Sequence, residues 1–259
     1  MSFKKSFGLI SLSALVGALT YGCSSSNSNG GGGTGDDSGV TGSDGSTKHD
    51  GGGDGGVIHP GGDSGTTGDA DPGACMPGDV STFTPPAYVP AKKTAGACTA
   101  TQISSFYDGC LAPNSTMTTC APFGSTGTAA NKACAACIVS ADTASAYGAL
   151  IEQKGLVSVN IPGCIELKDA GGGLACAKSY QASEKCNDAA CAANCPVTDD
   201  ASFQLYQACV QQAAANGCKT FSTAAACADA EADGGLAAAC FQGQTFQDLY
   251  NSVVPVFCQ

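Results

Sequence analysis

"TATQISSFYDGCL" occupies residues 99–111, and its pattern decides the fold. Thr99-x-x-Gln102 is a capping box, in which each side chain satisfies a backbone N–H that a helix start leaves free. Ile103, Phe106, Tyr107, Cys110 and Leu111 follow at i, i+3, i+4, i+7 and i+8, one face of a helix. The same reading extends down the chain. "DTASAYGALIEQKG" predicts a helix opening at Asp142, with Tyr147, Leu150 and Ile151 inward and Gly155 as its stop. "ACAKSYQASEKCNDAACAANCP" is rich in Ala and ends before Pro196, where a helix must end. "SFQLYQACVQQAAANG" sets Phe203, Tyr206, Cys209, Val210 and Ala213 on one side and stops at Gly217. "STAAACADAEADGG" is a further short helix, and "TFQDLYNSVVPVFC" opens with Thr245-x-x-Asp248 and buries Phe246, Leu249, Tyr250 and Val253. Only "GLVSVNIPG", residues 155–163, reads as extended. The expectation is an all-α, disulfide-rich helical domain.

Cysteine is the loudest feature. There are 17, and 16 of them follow residue 74: Cys75, Cys98, Cys110, Cys120, Cys134, Cys137, Cys164, Cys176, Cys186, Cys191, Cys195, Cys209, Cys218, Cys227, Cys240 and Cys258. In an exported chain an even set reads as a disulfide framework, here up to eight bridges of open connectivity. The framework has work to do, because residues 75–259 contain no Trp, only 14 Phe and Tyr, and helices filled with Ala. A large apolar side chain contributes about 1.5–3 kcal/mol on burial, and Ala far less. A disulfide contributes about 2–4 kcal/mol, chiefly by restricting the unfolded chain. "ISSFYDGC", "SFQLYQAC" and "TFQDLYNSVVPVFC" each set an aromatic pair before a cysteine, which suggests one supersecondary unit used three times.

The seventeenth cysteine stands apart. "MSFKKSFGLISLSALVGALTYGC" has a basic start, Lys4 and Lys5, and an apolar run from Phe7 to Leu19. That run suits a secretory signal and is too short for a membrane span of about 20 apolar residues. The stretch resembles the signal peptides of bacterial lipoproteins. Gly22-Cys23 matches the last two positions of that family's motif, while Thr20 stands where Leu is usual and Tyr21 where a small residue is usual. The resemblance implies removal of residues 1–22 and lipidation of Cys23 by acyl chains of the palmitate class. Ser24, rather than Asp, after the cysteine implies sorting to the outer membrane. Lipidation of Cys23 also leaves an even number of thiols to pair. The competing reading is plain secretion with cleavage after Gly22.

Residues 23–74 read as the lipidated cysteine and a linker. Positions 24–74 hold 18 Gly and eight Asp against Lys48, with Val40, Val57 and Ile58 as nearly all their apolar content. Such a composition buries too little surface to order itself. A Gly-rich coil of that length spans about 40 Å, enough to lift residues 75–259 off a membrane. The net charge is −11 and every basic residue is Lys. An acidic chain without Arg is a poor nucleic-acid binder, since phosphate contacts dominate that affinity. "GSDGSTKHDGGGDGG" hints at a calcium-binding Gly-Asp repeat, but its spacing is irregular and the apolar residue of each turn is missing.

Five constellations bear on chemistry. Cys134-Ala-Ala-Cys137 admits a zinc knuckle or a thiol oxidoreductase, against two structural half-cystines. Asp229, Glu231, Asp233, Gly234 and Leu236 fall at positions 1, 3, 5, 6 and 8 of an EF-hand loop, but position 12 is Cys240 instead of the bidentate Glu. The competing reading there is an acidic helix end capped by Gly234. His49 and His59 are the only histidines, so residues 75–259 have no Ser-His or Cys-His pair. Paired-carboxylate chemistry needs only Asp and Glu, of which this part has 14, with nothing in the spacing to mark a pair. Finally "ACTATQ", residues 97–102, resembles the opening of the elicitins, small helical sterol carriers. The match is six residues long and the later cysteine spacings depart from it. It implies an apolar ligand lined by Phe106, Tyr107, Phe203 and Tyr206, which otherwise read as core.

The function expected is that of a membrane-anchored exported lipoprotein with a structural or binding domain, without catalysis and without a cofactor or metal. It sits in the cell envelope, at the outer membrane, with the membrane itself as partner through Cys23. The alternatives are a carrier of a small apolar, lipid-like ligand and a secreted hydrolase.

Overall fold

The first expected helix starts as read but is shorter, and its end shows how this chain builds tight corners. In the computed structural model, which describes residues 75–153 and 155–259, Thr99 caps α1 (Ala100–Phe106) with both arms of the capping box in place. The signal, Cys23, the linker and both histidines lie outside the described residues. Residues Tyr107–Leu111 then widen into a π-turn. Gly109 sits there because a Cβ would come within 2.7 Å of the Thr119 carbonyl. After α2 (Met117–Cys120) and a 3-10 turn over Ala121–Phe123, α3 runs over Ala129–Ile138.

The segment from Asp142 corrects the all-α expectation. It is a turn followed by a strand, so the chain is helix-rich with a small three-stranded sheet. β1 (Val139–Ala141) pairs parallel with β2 (Leu150–Gln153), and β2 pairs antiparallel with β3 (Leu156–Val159), Leu150 facing Val159. Two glycines explain the change. A Cβ on Gly148 would meet the Cys137 carbonyl at 2.4 Å, so the chain passes there by close backbone approach. Gly155, read as a helix stop, instead turns the β2–β3 hairpin at φ +87°. The expected extended stretch 155–163 is β3 as far as Val159. Asn160 then caps α4 (Ile161–Lys168), its Oδ1 accepting from the Gly163 N–H and its Nδ2 donating to the Gly148 carbonyl.

The long helix α5 (Gly173–Cys191) is the axis of the rest. It packs on α4, α6 (Asp200–Ala215), α7 (Lys219–Ala224) and α8 (Cys227–Ala232). "STAAACADAEADGG" is thus two short helices, broken around Ala225 and Ala226. A 3-10 turn over Ala238–Phe241 leads to α9 (Phe246–Cys258), capped by Thr245 and Asp248 and burying Phe246, Leu249, Tyr250 and Val253 as expected. A helix end leaves its last carbonyls free. Here the backbone N–H groups of Thr94, Gly96 and Cys98 donate to those of Phe257, Gln259 and Cys258.

All 16 cysteines of this region pair. Cys98–Cys134 and Cys137–Cys258 bind the start of α1 and the end of α9 to α3. Cys164–Cys240 ties α4 to the 3-10 turn, and Cys110–Cys120 closes a local loop. Cys176–Cys227, Cys186–Cys218 and Cys191–Cys209 hold α5 to α8, to the entry of α7 and to α6, and Cys75–Cys195 fastens the first described residue just beyond α5. Bridges stand where large side chains would be expected, and two apolar clusters form around them. One lies among α1, α3, α4, α9 and the sheet, the other between the end of α5 and α6. The three aromatic–cysteine segments do not share a role. Cys110 pairs locally, Cys209 pairs with α5 and Cys258 with α3.

Candidate functional site

The residues before α1 run as a strap along α5. "TPPAYVP", residues 84–90, cannot coil into a helix with three prolines, so it lies extended. Two side chains, Gln181 and Glu166, fasten it. The Val89 N–H donates to Gln181 Oε1, and Gln181 Nε2 donates back to the Val89 carbonyl. Glu166 on α4 accepts from the Tyr88 hydroxyl and the Ala91 N–H, both at 2.8 Å. Burial and that carboxylate push the Tyr88 hydroxyl well above the ordinary tyrosine range.

Strap and helix enclose an open trough of about 670 Å³. Pro85, Pro86, Tyr88, Pro90 and Leu174 give it apolar walls, and Lys178 and Lys185 stand on its α5 side. Leu174 is 45 % exposed, a large apolar side chain left open at the surface of a helix.

Beside the trough, and sharing Gln181 and Lys185 with it, is a cleft of about 90 Å³ between α5, α6 and the sheet. Its α5 wall carries Glu184, Asn187 and Asp188, at i, i+3 and i+4, one face of the helix. Its far wall is Phe203 and Tyr206 of α6 with Val197, and Tyr147, Leu156 and Val157 close it. Asp188 Oδ1 accepts the Tyr206 hydroxyl at 2.7 Å. Part of Glu184 still reaches solvent. The protein packed around it nevertheless pushes its carboxyl up to about 8, the Asp188 charge adding to the effect and Lys185 opposing it. Burial also raises Asp188, against the Tyr206 bond and Lys185. Burial and these two carboxylates raise the Tyr206 hydroxyl. Asn187 is 6 % exposed, and its Oδ1 has no hydrogen-bond partner.

The paired carboxylates that the spacing did not mark are therefore Glu184 and Asp188. Their i, i+4 placement in "SEKCND" was the available signal, but its meaning comes from α6 closing over it. As a catalytic pair they are cramped, because about 90 Å³ holds roughly three water molecules. That is too little for a sugar ring together with an attacking water.

The residues weighed for ligand and metal chemistry separate. Phe203 and Tyr206 line the cleft. Phe106 packs edge-on to Phe123, and Tyr107 lies tilted against Tyr250, so this pair belongs to the core and does not join the other. Cys134 and Cys137 bond to different partners, leaving no dithiol between them. The Sγ atoms of Cys75, Cys195 and Cys209 lie within 4.8 Å of one another, yet each is in a disulfide and offers no thiolate. Asp229 and Glu231 are helical in α8, Glu231 accepts from the Ala237 N–H, Gly234 turns at φ +104°, and Leu236 is 70 % exposed. That is a capped helix end, and the EF-hand geometry is not formed.

Among the described residues no helix is long and apolar enough to cross a membrane. Comparison with protein-family models, with curated proteins and with solved structures finds no match.

Proposed function

We propose that this chain is an exported lipoprotein, held at the outer membrane by acyl chains on Cys23, whose disulfide-stapled domain binds an apolar ligand or partner segment and performs no catalysis. The observation that carries the binding role is the trough between strap and α5. Its proline, tyrosine and leucine walls are apolar, and such walls with a few polar groups at the margin suit an apolar occupant. The linker composition supports a domain displayed away from a surface. The absence of histidine beyond His59 supports binding over nucleophilic catalysis.

Two measurements test this. The wild-type chain expressed in a Gram-negative host partitions into a detergent phase and Cys23→Ala into the aqueous phase. Retention of the variant in detergent would refute the anchor. Native mass spectrometry of the purified protein finds co-purifying lipid, and Leu174→Asp, which places a charge in the trough, releases it. Wild-type protein that carries nothing and takes up no added fatty acid would refute the apolar trough.

A further inference from the structure

The cleft is a second subsite, chemically unlike the trough. Its α5 wall is lined on one helix face by three residues with acceptor oxygens: Glu184, Asp188, one of whose oxygens takes the Tyr206 hydroxyl, and Asn187, whose buried Oδ1 has no partner. The last is the telling one. A buried polar atom without a partner is rare and calls for an explanation. The acceptors ask for a donor, and Phe203 and Tyr206 opposite ask for a cation or an apolar stem.

We propose that the cleft binds a primary ammonium group on a short aliphatic stem, held by Glu184, Asp188 and Asn187 against Phe203 and Tyr206. An ammonium carries three N–H donors, one for each acceptor. Its stem fits the apolar side, and about 90 Å³ accommodates the head and its first carbons. A calcium ion fits less well. It takes about six to eight oxygens, whereas Phe203 and Val197 offer none and the Tyr206 hydroxyl is already spent on Asp188, which leaves Gln153 and Ser158 as the oxygens beyond α5. The charges agree: ionised Glu184 and Asp188 with Lys185 sum to −1, which one ammonium neutralises.

Binding then exchanges a proton for the ligand. The titratable or charged groups lining the cleft are Glu184, Lys185 and Asp188 of α5, Tyr206 of α6 and Tyr147. Glu184, with its carboxyl near 8, is the one that must ionise to receive the cation. Apparent affinity scales with the ionised fraction, so it is tighter at pH 8 than at pH 6 by roughly 10-fold or more. An alkylammonium stays protonated across this range.

The test is calorimetric titration of the full oxidised chain with n-butylammonium chloride at pH 6 and pH 8, in buffers of different ionisation enthalpy. The expected result is tighter binding at pH 8 by roughly 10-fold or more, with close to one proton released per ligand at pH 6. Glu184→Gln is expected to lose at least about 10-fold at pH 8 and most of the pH dependence, Asp188 keeping the remainder, while Asn187→Asp keeps or tightens binding. Should the variants fail to fold, the proton release of the wild type still decides. No heat with butylammonium, equal binding of n-butanol or butyrate, tighter binding of calcium, or binding without proton release would each overturn the site. Any of these with lipid still present in the trough overturns the ammonium site alone.

Discussion

Tyr206 on α6 donates its hydroxyl to Asp188 on α5 across 2.7 Å, and this bond fixes the inner wall of the cleft. Tyr206→Phe removes it with little change of shape. Hydrogen bonds to charged groups contribute about 1.5–3 kcal/mol, so the variant is expected to lose that much at pH 8. The loss shrinks at acid pH, where Asp188 is protonated and the bond loses its charge. Guanidinium unfolding of wild type and variant at pH 4 and pH 8, with the disulfides intact, checks this. An equal loss at both values would show that Asp188 does not carry the effect.

Glu184 makes stability fall as pH rises. Its carboxyl titrates near the ordinary 4.5 in the unfolded chain and near 8 in the folded one. Between those values the folded state holds the extra proton, so the stability slope is negative, and it flattens above 8. Each unit of separation is worth at most about 1.4 kcal/mol, and partial solvent access of Glu184 reduces that. Asp188, also raised by burial, adds a slope of the same sign. Glu184→Gln is expected to flatten the profile between pH 5 and pH 8 and to be more stable than wild type at pH 8. Unfolding midpoints across that range decide it. A wild-type stability that climbs with pH would contradict the burial of this carboxyl.

The helix starts were readable because their signals are local. Thr99 with Gln102 and Thr245 with Asp248 each form the capping box their spacing announces. The stretch from Asp142 was not, since Tyr147, Leu150 and Ile151 are spaced as one helical face. What chose the strand is tertiary: the Cys137 carbonyl pressed against Gly148 and the reversal at Gly155. Disulfide partners are likewise absent from spacing. Cys137 finds Cys258 across 121 residues because α3 and α9 share a core. The cleft was half visible, as the i, i+4 pair Glu184 and Asp188, but the wall that gives the pair a role arrives with α6.

Gly148→Ala follows from that reading. The new Cβ would lie 2.4 Å from the Cys137 carbonyl, backbone that cannot move without disturbing α3 and β1. A loss of about 1–3 kcal/mol or more is expected, the range of core steric clashes. Gly171→Ala is the control, since its nearest neighbour is a side-chain oxygen of Asp169 at 3.5 Å. Comparable losses for both would place the cause elsewhere than the close approach.

The disulfides should yield to reductant in an order set by burial and loop length. Intact mass of the purified chain, alkylated without reduction, first establishes the starting point: eight bridges lower the mass by about 16 Da and leave none of the cysteines from Cys75 onward open to label. Cys110–Cys120 joins two half-buried residues and closes a separation of only 10, whereas Cys137–Cys258 is fully buried and spans 121. In the chain-entropy account the two closures contribute about 3 and about 5 kcal/mol respectively. Limited reduction followed by alkylation and peptide mapping is therefore expected to label Cys110 and Cys120 first, with little loss of helix signal. Label at Cys137 and Cys258 should appear only as the helices melt. Early label at Cys137 would mean that the α3–α9 core opens more readily than its burial implies, and the stapled-core account would fail at its centre.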